Sequence, residues 1–213
     1  MVLLIQDWMK RDVLTLGPEA SAFDALRLTR DRRIRHIPVV EDDRMVGIVS
    51  DRDLRNASPP LGDPERVSTM KEIRLEDVMT RKVITTHPED TIVHAAREMY
   101  ERKIESLPVL DEEKLLGIVT SSDVMRALIA VIGVHEPGHS RIAVQTLKPG
   151  DLAEVSGIIQ DRGVDIFSVL SSPGKVTSHD RTLVFQVATR DPSSVIQGLQ
   201  EAGYEVRWWH HLE

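Results

Sequence analysis

The chain has 213 residues, a formal charge of -7 and no cysteine, with 41% hydrophobic and 29% charged residues. That is an ordinary globular composition, and the lack of cysteine excludes disulfides, thiolate zinc or iron–sulfur sites and thiol nucleophiles. The net negative field opposes polyanions, so no nucleic-acid partner is expected.

The opening MVLLIQDWMK holds only a short apolar run with no basic stretch before it, and no apolar segment elsewhere approaches 18 residues. The expectation is a cytoplasmic protein with no membrane partner. Self-similarity then dominates the reading. Asp7 to Arg55 lies on Asp77 to Met125 at a constant offset of 70, without a gap. Met9 falls on Met79, Thr15 on Thr85, Pro38 on Pro108, Gly47-Ile48-Val49 on Gly117-Ile118-Val119, and Asp53 on Asp123.

In chain order, repeat one predicts an extended start (Val13 to Leu16, closed by Pro18) and a helix with Ala22, Ala25, Leu26 and Thr29 at helical spacing. A strand (Ile37 to Val40), an acidic turn (Glu41 to Arg44), a strand (Met45 to Val49) and a second helix after Ser50 follow. Pro59, Pro60, Gly62 and Pro64 exclude a continuous helix and mark a linker. Repeat two predicts the same order: Val83 to Thr86, a helix with Ile92, Ala95, Ala96 and Met99, strands Leu107 to Leu110 and Leu115 to Val119, and a helix after Thr120. A unit of about fifty residues buries little of its own surface, so the two copies are expected to pack face to face as one domain. Each is read as a three-stranded unit with two helices.

Pro137-Gly138 ends that domain. Beyond it the pattern predicts a strand (Arg141 to Leu147), a helix (Asp151 to Asp161), two strands (Val164 to Ser171, Thr182 to Thr189), a helix (Pro192 to Ala202) and a last strand (Tyr204 to His210). This βαββαβ order is the ferredoxin-like split pattern, with Leu152, Val155, Ile158 and Ile159 covering the sheet. The fold class is thus α+β. Two βαββα units fill residues 1–134 (repeat one 7–56, linker 57–72, repeat two 73–132), and a βαββαβ domain fills 140–213.

The segments Gly47-Ile-Val-Ser-Asp-Arg-Asp53 and Gly117-Ile-Val-Thr-Ser-Ser-Asp123, each preceded by an x-Pro-Val strand, resemble a pair of CBS motifs, a Bateman module. The resemblance implies clefts that take AMP, ADP, ATP or S-adenosylmethionine, with no cofactor required. It implies that Asp53 and Asp123 accept hydrogen bonds from ribose hydroxyls and that Ser50 and Thr120 approach ribose or phosphate at a helix start. Thr15, Thr85, Pro38 and Pro108 join that nucleotide-binding set. An ionised carboxylate, an acceptor-only group, suits a cis-diol. Ser-x-x-Asp and Thr-x-x-Asp are equally helix-capping patterns, worth about 1 kcal/mol without any ligand, and Ser21-x-x-Asp24 repeats the pattern elsewhere. Both readings stand at this point.

The copies differ in charge. Arg27 to His36 holds five arginines, whereas Arg97 to Ser106 balances its bases with Glu98, Glu101 and Glu105. Arg35, His36 and Arg52 are phosphate-contact candidates, since guanidinium matches phosphate oxygens. Basic residues at a helix end also merely complement its dipole.

In the last third, Lys148-Pro149-Gly150-Asp151-Leu152 resembles the Pro-Gly-x-Leu turn of ACT domains, which implies a small-ligand site at Pro149, Gly150, Asp151 and Leu152 and a dimer. It is also ordinary turn and helix-start chemistry. A CBS pair followed by an ACT-like domain resembles the acetoin-utilization B-type proteins, which implies regulation of acetoin and acetyl-group metabolism.

Three lures fail on physics. His135-Glu136-Pro137-Gly138-His139 reads as H-E-x-x-H, but Pro137-Gly138 breaks the helix that motif needs. His210 and His211 point to opposite faces of a strand. Gly174-Lys175 and Thr177 suggest a phosphate loop, but Val169 stands where its first glycine belongs. The expectation is a non-catalytic homodimeric sensor of an adenosyl ligand with a protein target. The alternative is a dimeric protein-interaction scaffold with vestigial clefts.

Overall fold

The first long helix of each repeat starts where a hydroxyl caps it. The structure is a computed structural model that describes residues 3–133, 137–146, 148, 150–172 and 181–212. Ser21 Oγ accepts the Asp24 amide at 3.1 Å ahead of α1 (Ala22–Arg32), and Thr91 Oγ1 accepts the His94 amide at 3.1 Å ahead of α5 (Ile92–Arg102). Both helices end on a left-handed residue, Arg33 (φ 52°) and Lys103 (φ 56°). Their buried faces, Ala22, Ala25, Leu26 and Thr29 in one and Ile92, Ala95 and Met99 in the other, follow the spacing in the sequence.

Two strands follow each helix: β1 (His36–Glu41) and β2 (Arg44–Ser50) in repeat one, β3 (Ser106–Asp111) and β4 (Lys114–Thr120) in repeat two. Both hairpins are antiparallel and carry the same register shift, at Val39/Val40 and at Val109/Leu110. The four strands form one sheet ordered β1-β2-β4-β3, joined at its centre by the pair Arg44 and Lys114. The expected third strand of each repeat is reduced to a single parallel bridge, Leu16 to Val39 and Thr86 to Val109. Pro38 and Pro108 have no N–H to offer, so only their carbonyls serve, accepting from Leu16 N at 3.3 Å and Thr86 N at 3.0 Å.

After α2 (Asp51–Ala57), the segment read as a linker is half helical. The prolines end at Pro64, and α3 (Arg66–Glu72) places Met70, 2% exposed, among the core residues of repeat one beside Leu54.

The segment leading into each repeat packs on the other one. Ile5 N and Gln6 N donate to Asp90 O and Pro88 O, and Ile92 N donates to Leu3 O. Seventy residues on, Leu75 N and Glu76 N donate to Ala20 O and Pro18 O, and Ala22 N donates to Ile73 O. Lys10 exchanges paired backbone bonds with Ile118, and Thr80 does so with Ile48. The cores follow the exchange: Ile5 and Met9 sit with Ile92, Leu107 and Val119, while Leu75 and Met79, from α4 (Leu75–Val78) and just past it, sit with Ala25, Ile37 and Val49.

Residues Met1–Ala127 form one compact unit and Leu128–Glu213 a second, with α6 (Ser121–Ile132) running through the boundary. The second unit follows the βαββαβ order: β5 (Ser140–Thr146), α7 (Asp151–Asp161), β6 (Ile166–Ser172), β7 (Arg181–Val187), α8 (Ser193–Glu201) and β8 (Glu205–His211). Its antiparallel sheet is ordered β6-β7-β5-β8. Ile142, Val144, Phe185 and Val187 face Val155, Ile159, Val195 and Leu199 of the two helices. Leu152, expected in that layer, is 50% exposed because it lies in the first turn of α7, next to the Gly150 turn.

Gly117 shows what the exchange demands. A Cβ there would lie 2.7 Å from Met9 Sδ and 2.8 Å from the Lys10 carbonyl oxygen, a backbone atom held in the exchanged ladder. Gly117→Ala is therefore expected to cost roughly 1–3 kcal/mol by overpacking, whereas Gly157→Ala in α7, where a Cβ meets nothing within 4 Å, should be neutral or stabilising. Melting temperatures of the two variants against the parent chain check both.

Candidate functional site

The end of β2 and the start of α2 bring Ser50 and Asp53 together. Asp53 Oδ2 accepts the Ser50 amide at 2.9 Å and the Ser50 hydroxyl at 2.6 Å, and Ser50 Oγ accepts the Asp53 amide at 3.2 Å. This is a complete capping box, so the capping reading of Ser-x-x-Asp holds. It does not consume the carboxylate. One oxygen faces the cap, and among the described residues no hydrogen bond reaches the other, on a half-buried side chain. A short capped helix thus holds a fixed carboxylate oxygen as an acceptor at the end of β2.

The carboxylate half of that box recurs at the start of α6, where Asp123 Oδ2 accepts the Thr120 amide at 2.9 Å and hydroxyl at 2.6 Å. Here the second oxygen is taken: Arg126 Nη2 donates to Asp123 Oδ1 at 3.1 Å, and the Asp123 side chain is 3% exposed.

His36 belongs to the first of these clusters. It pairs with Ser50 across the β1–β2 ladder and is half-buried. Burial pushes its pKa below the ordinary 6.5, against the raising fields of Glu105 and Asp53; Arg35 lowers it and Asp51 raises it. Arg35 is directed at Glu105, 3.3 Å away. Glu105 occupies the position of Arg35 in repeat two, so equivalent positions of the two copies pair with each other across the sheet. Arg52 is exposed on α2. Pro38 and Pro108 are buried in the ladders, and Thr15 and Thr85 are exposed on the segments running to them. It is Thr86, one residue on, whose hydroxyl is engaged, donating to Asp90 Oδ2 at 2.7 Å.

Arg126 and Trp8 escaped the sequence reading, and Glu105 entered it only as part of the charge balance of repeat two. Glu105 was signalled by the offset of 70 from Arg35. Arg126 was signalled by its place one helical turn after Asp123, whose counterpart after Asp53 is Asn56. Trp8 lies far from Arg126 in sequence, and only the exchanged leader brings it close.

In the second unit, Gly150 has φ 98° and opens α7. Asp151, 3% exposed, accepts the Lys148 amide at 3.0 Å and the Tyr204 hydroxyl at 3.2 Å, while Leu152 points out and Pro149 lies outside the described residues. Desolvation, together with Glu154 and Asp151, raises the Tyr204 pKa and keeps the phenol protonated. The buried carboxylate therefore serves the turn. A cavity of about 290 Å³ in this unit is lined by Pro137, Gly138, Arg190, His211 and Leu212. His135 and Glu136 of the H-E-x-x-H string, and Gly174, Lys175 and Thr177, lie outside the described residues; Gly138 has φ 85° within a turn. Among the described residues no cluster of three His, Asp or Glu is placed to hold a metal, and no helix is long and apolar enough to cross a membrane.

The CBS domain family model matches twice, at residues 5–59 and 75–130. Homoserine O-acetyltransferase of Methanosalsum zhilinae is 33% identical over 128 residues, 59% of this chain but 24% of the enzyme, so the chain spans about a quarter of that relative. A CBS domain-containing protein of Dictyostelium discoideum is 31% identical over 138 residues, 62% of this chain and 95% of that one. Among solved structures, a protein assigned to acetoin utilization (AcuB) from Vibrio cholerae is similar at TM-score 0.55 and 32% identity, over 64% of this chain and 97% of its own. The CBS pair of protein MJ0100, in complex with 5-methylthioadenosine and S-adenosylmethionine, is similar at TM-score 0.52 and 28% identity, over 61% and 98%. CBSX2 in complex with AMP is similar at TM-score 0.53 and 29% identity, over 61% and 98%.

The His36 environment has a pH signature. Above its ordinary pKa of 6.5 the imidazole is neutral in both states; below it the unfolded chain accepts a proton that the folded chain resists. This contribution to stability is thus present at neutral pH and lost as pH falls from 6.5 through the lowered folded value. The melting temperature of His36→Gln, scanned from about pH 7.5 to 5, should fall less steeply than that of the parent chain.

Proposed function

The chain belongs to the CBS domain family, and on that premise we propose that it is a non-catalytic regulatory sensor that binds an adenine nucleotide or another adenosyl ligand beside the capped carboxylates. The observation that carries this reading is the Ser50–Asp53 box, which holds one carboxylate oxygen in place and leaves the other without a donor among the described residues. A vicinal diol supplies two hydroxyl donors for such an acceptor. His36 stands beside it, and Arg35 and Arg52 add cationic donors for a phosphate or carboxylate tail. Two relatives of known structure carry adenosyl ligands, AMP in one and 5-methylthioadenosine with S-adenosylmethionine in the other, which supports the same class of ligand here.

The similarity to acetyl-transfer and dehydrogenase enzymes covers only a quarter of their length, and it supports a shared regulatory module in place of a shared reaction. Regulation requires that the ligand bind one state of the protein better than another. In this reading the protein works in the cytoplasm as a homodimer and needs no cofactor. Its second unit is an ACT-like domain with a weak ligand turn at Gly150, Asp151 and Leu152, and its target lies in acetoin or acetyl-group metabolism, a link supported by the AcuB relative. A scaffold reading draws on a different observation: Val93, Tyr100 and Met125 are 62%, 85% and 58% exposed on α5 and α6, apolar surface suited to covering by another chain.

Isothermal titration calorimetry against AMP, ADP, ATP and S-adenosylmethionine separates the two. A sensor binds at least one of them saturably, and Asp53→Ala weakens that binding at least tenfold, about 1.4 kcal/mol. A folded chain that binds none of the four is a scaffold.

A further inference from the structure

The two repeats share a sequence register but not the state of their carboxylates. Asp53 and Asp123 use the same inner oxygen in the same way, accepting the amide at 2.9 Å and the hydroxyl at 2.6 Å of the Ser or Thr three residues before. They part at the outer oxygen. Arg126 Nη2 donates both to Asp123 Oδ1 at 3.1 Å and to the Trp8 carbonyl at 3.0 Å, and its guanidinium lies over the Trp8 ring at 5.8 Å from the centroid. Three contacts therefore hold one side chain across Asp123: a charged hydrogen bond, a backbone anchor and a cation–π contact. The Asp123 side chain is left 3% exposed, while Arg126, 58% exposed, forms the outer layer over it.

Among the described residues nothing equivalent stands at repeat one. The residue one turn after Asp53 is Asn56, too short and uncharged, and the counterpart of Trp8 is Val78, with no ring to hold a cation. The neighbouring charges differ in the same sense. His36, Arg52 and Arg35 of repeat one correspond to Ser106, Ser122 and Glu105 of repeat two.

Resting on the sensor reading, we infer that the repeats are unequal sites. Asp53 is the carboxylate that receives the ribose diol, Asp123 is closed by the Arg126–Trp8 latch, and the chain takes up one adenosyl ligand per protomer. Arg126 is the residue that sets this stoichiometry. A ligand at repeat two has first to displace a guanidinium with three partners, and it then meets Ser106 and Ser122 where repeat one offers His36 and Arg52.

Equilibrium dialysis of the full chain with radiolabelled AMP, and separately with radiolabelled S-adenosylmethionine, tests this at protein concentrations well above the dissociation constant. The expected result is one equivalent per parent chain, affinity reduced at least tenfold in Asp53→Asn, and a second equivalent gained in Arg126→Gln. The Arg126 side chain is largely exposed, so the Gln variant should fold, which its melting curve verifies. Two equivalents on the parent chain overturn the inference and leave the sensor reading standing, whereas undiminished binding in Asp53→Asn overturns both the inference and the placing of the ligand beside the Ser50–Asp53 box. A single equivalent in both the parent and Arg126→Gln overturns the latch. No uptake of either probe by the folded parent chain removes the sensor reading for that class of ligand, and the inference falls with it.

Discussion

The first unit depends on a reciprocal exchange of backbone between its two repeats. Leu3 to Lys10 completes the core of repeat two, and Ile73 to Thr80 completes that of repeat one, through the same hydrogen bonds displaced by seventy residues. Neither half encloses a full core with its own leader, so each depends on the other for apolar burial. The exchange also explains the repeated glycines. Met79 lies over Gly47 as Met9 lies over Gly117, and in each place a Cβ would fall within 3 Å of the methionine sulfur. Glycine is needed there for close approach and not for its backbone freedom.

In that frame β2 and β4 each run directly into the helix that follows, and the capping carboxylates inherit a fixed position from it. Capping and ligand contact are usually set against each other as explanations of Ser-x-x-Asp. The geometry makes them compatible, because a carboxylate has two oxygens and the cap uses one of them. The cap holds the side chain still, which reduces the ordering cost of any diol that meets the second oxygen.

Duplication gives two such carboxylates, and the differences between copies then decide their environments. Arg35 and Glu105 are equivalent positions of opposite charge, and they pair with each other across the repeats. Both side chains are more than half exposed, so the pair contributes little to stability. Its interest lies in placing an anion near His36, whose burial opposes the charge that Glu105 and Asp53 favour. The second unit is built by ordinary means: a four-stranded antiparallel sheet with two helices on one face, and a buried Asp151 spent on its own turn and on Tyr204.

Much was legible in the amino-acid order. The offset of 70, the helical spacing of Ala22, Ala25, Leu26 and Thr29, the proline strands and the βαββαβ order of the last third all rest on periodicity, which is local and survives without knowledge of neighbours. The Ser50–Asp53 and Thr120–Asp123 boxes are three-residue relations and were readable for the same reason. The α3 helix was missed because proline and glycine dominate the front of its segment, and Met70 is drawn inward by a core that the segment's own pattern does not reveal. The partner of each leader was not legible, since exchange and self-packing leave the same periodicity and differ only in which copy receives the methionine. Nor was the contrast between Asp53 and Asp123. It depends on Trp8, 118 residues away from Arg126, coming within 3.0 Å. The sequence by itself determined the repeats, their caps and their charges; tertiary packing alone decided whose core each leader fills and which carboxylate stays open, because both depend on contacts between segments far apart in the chain.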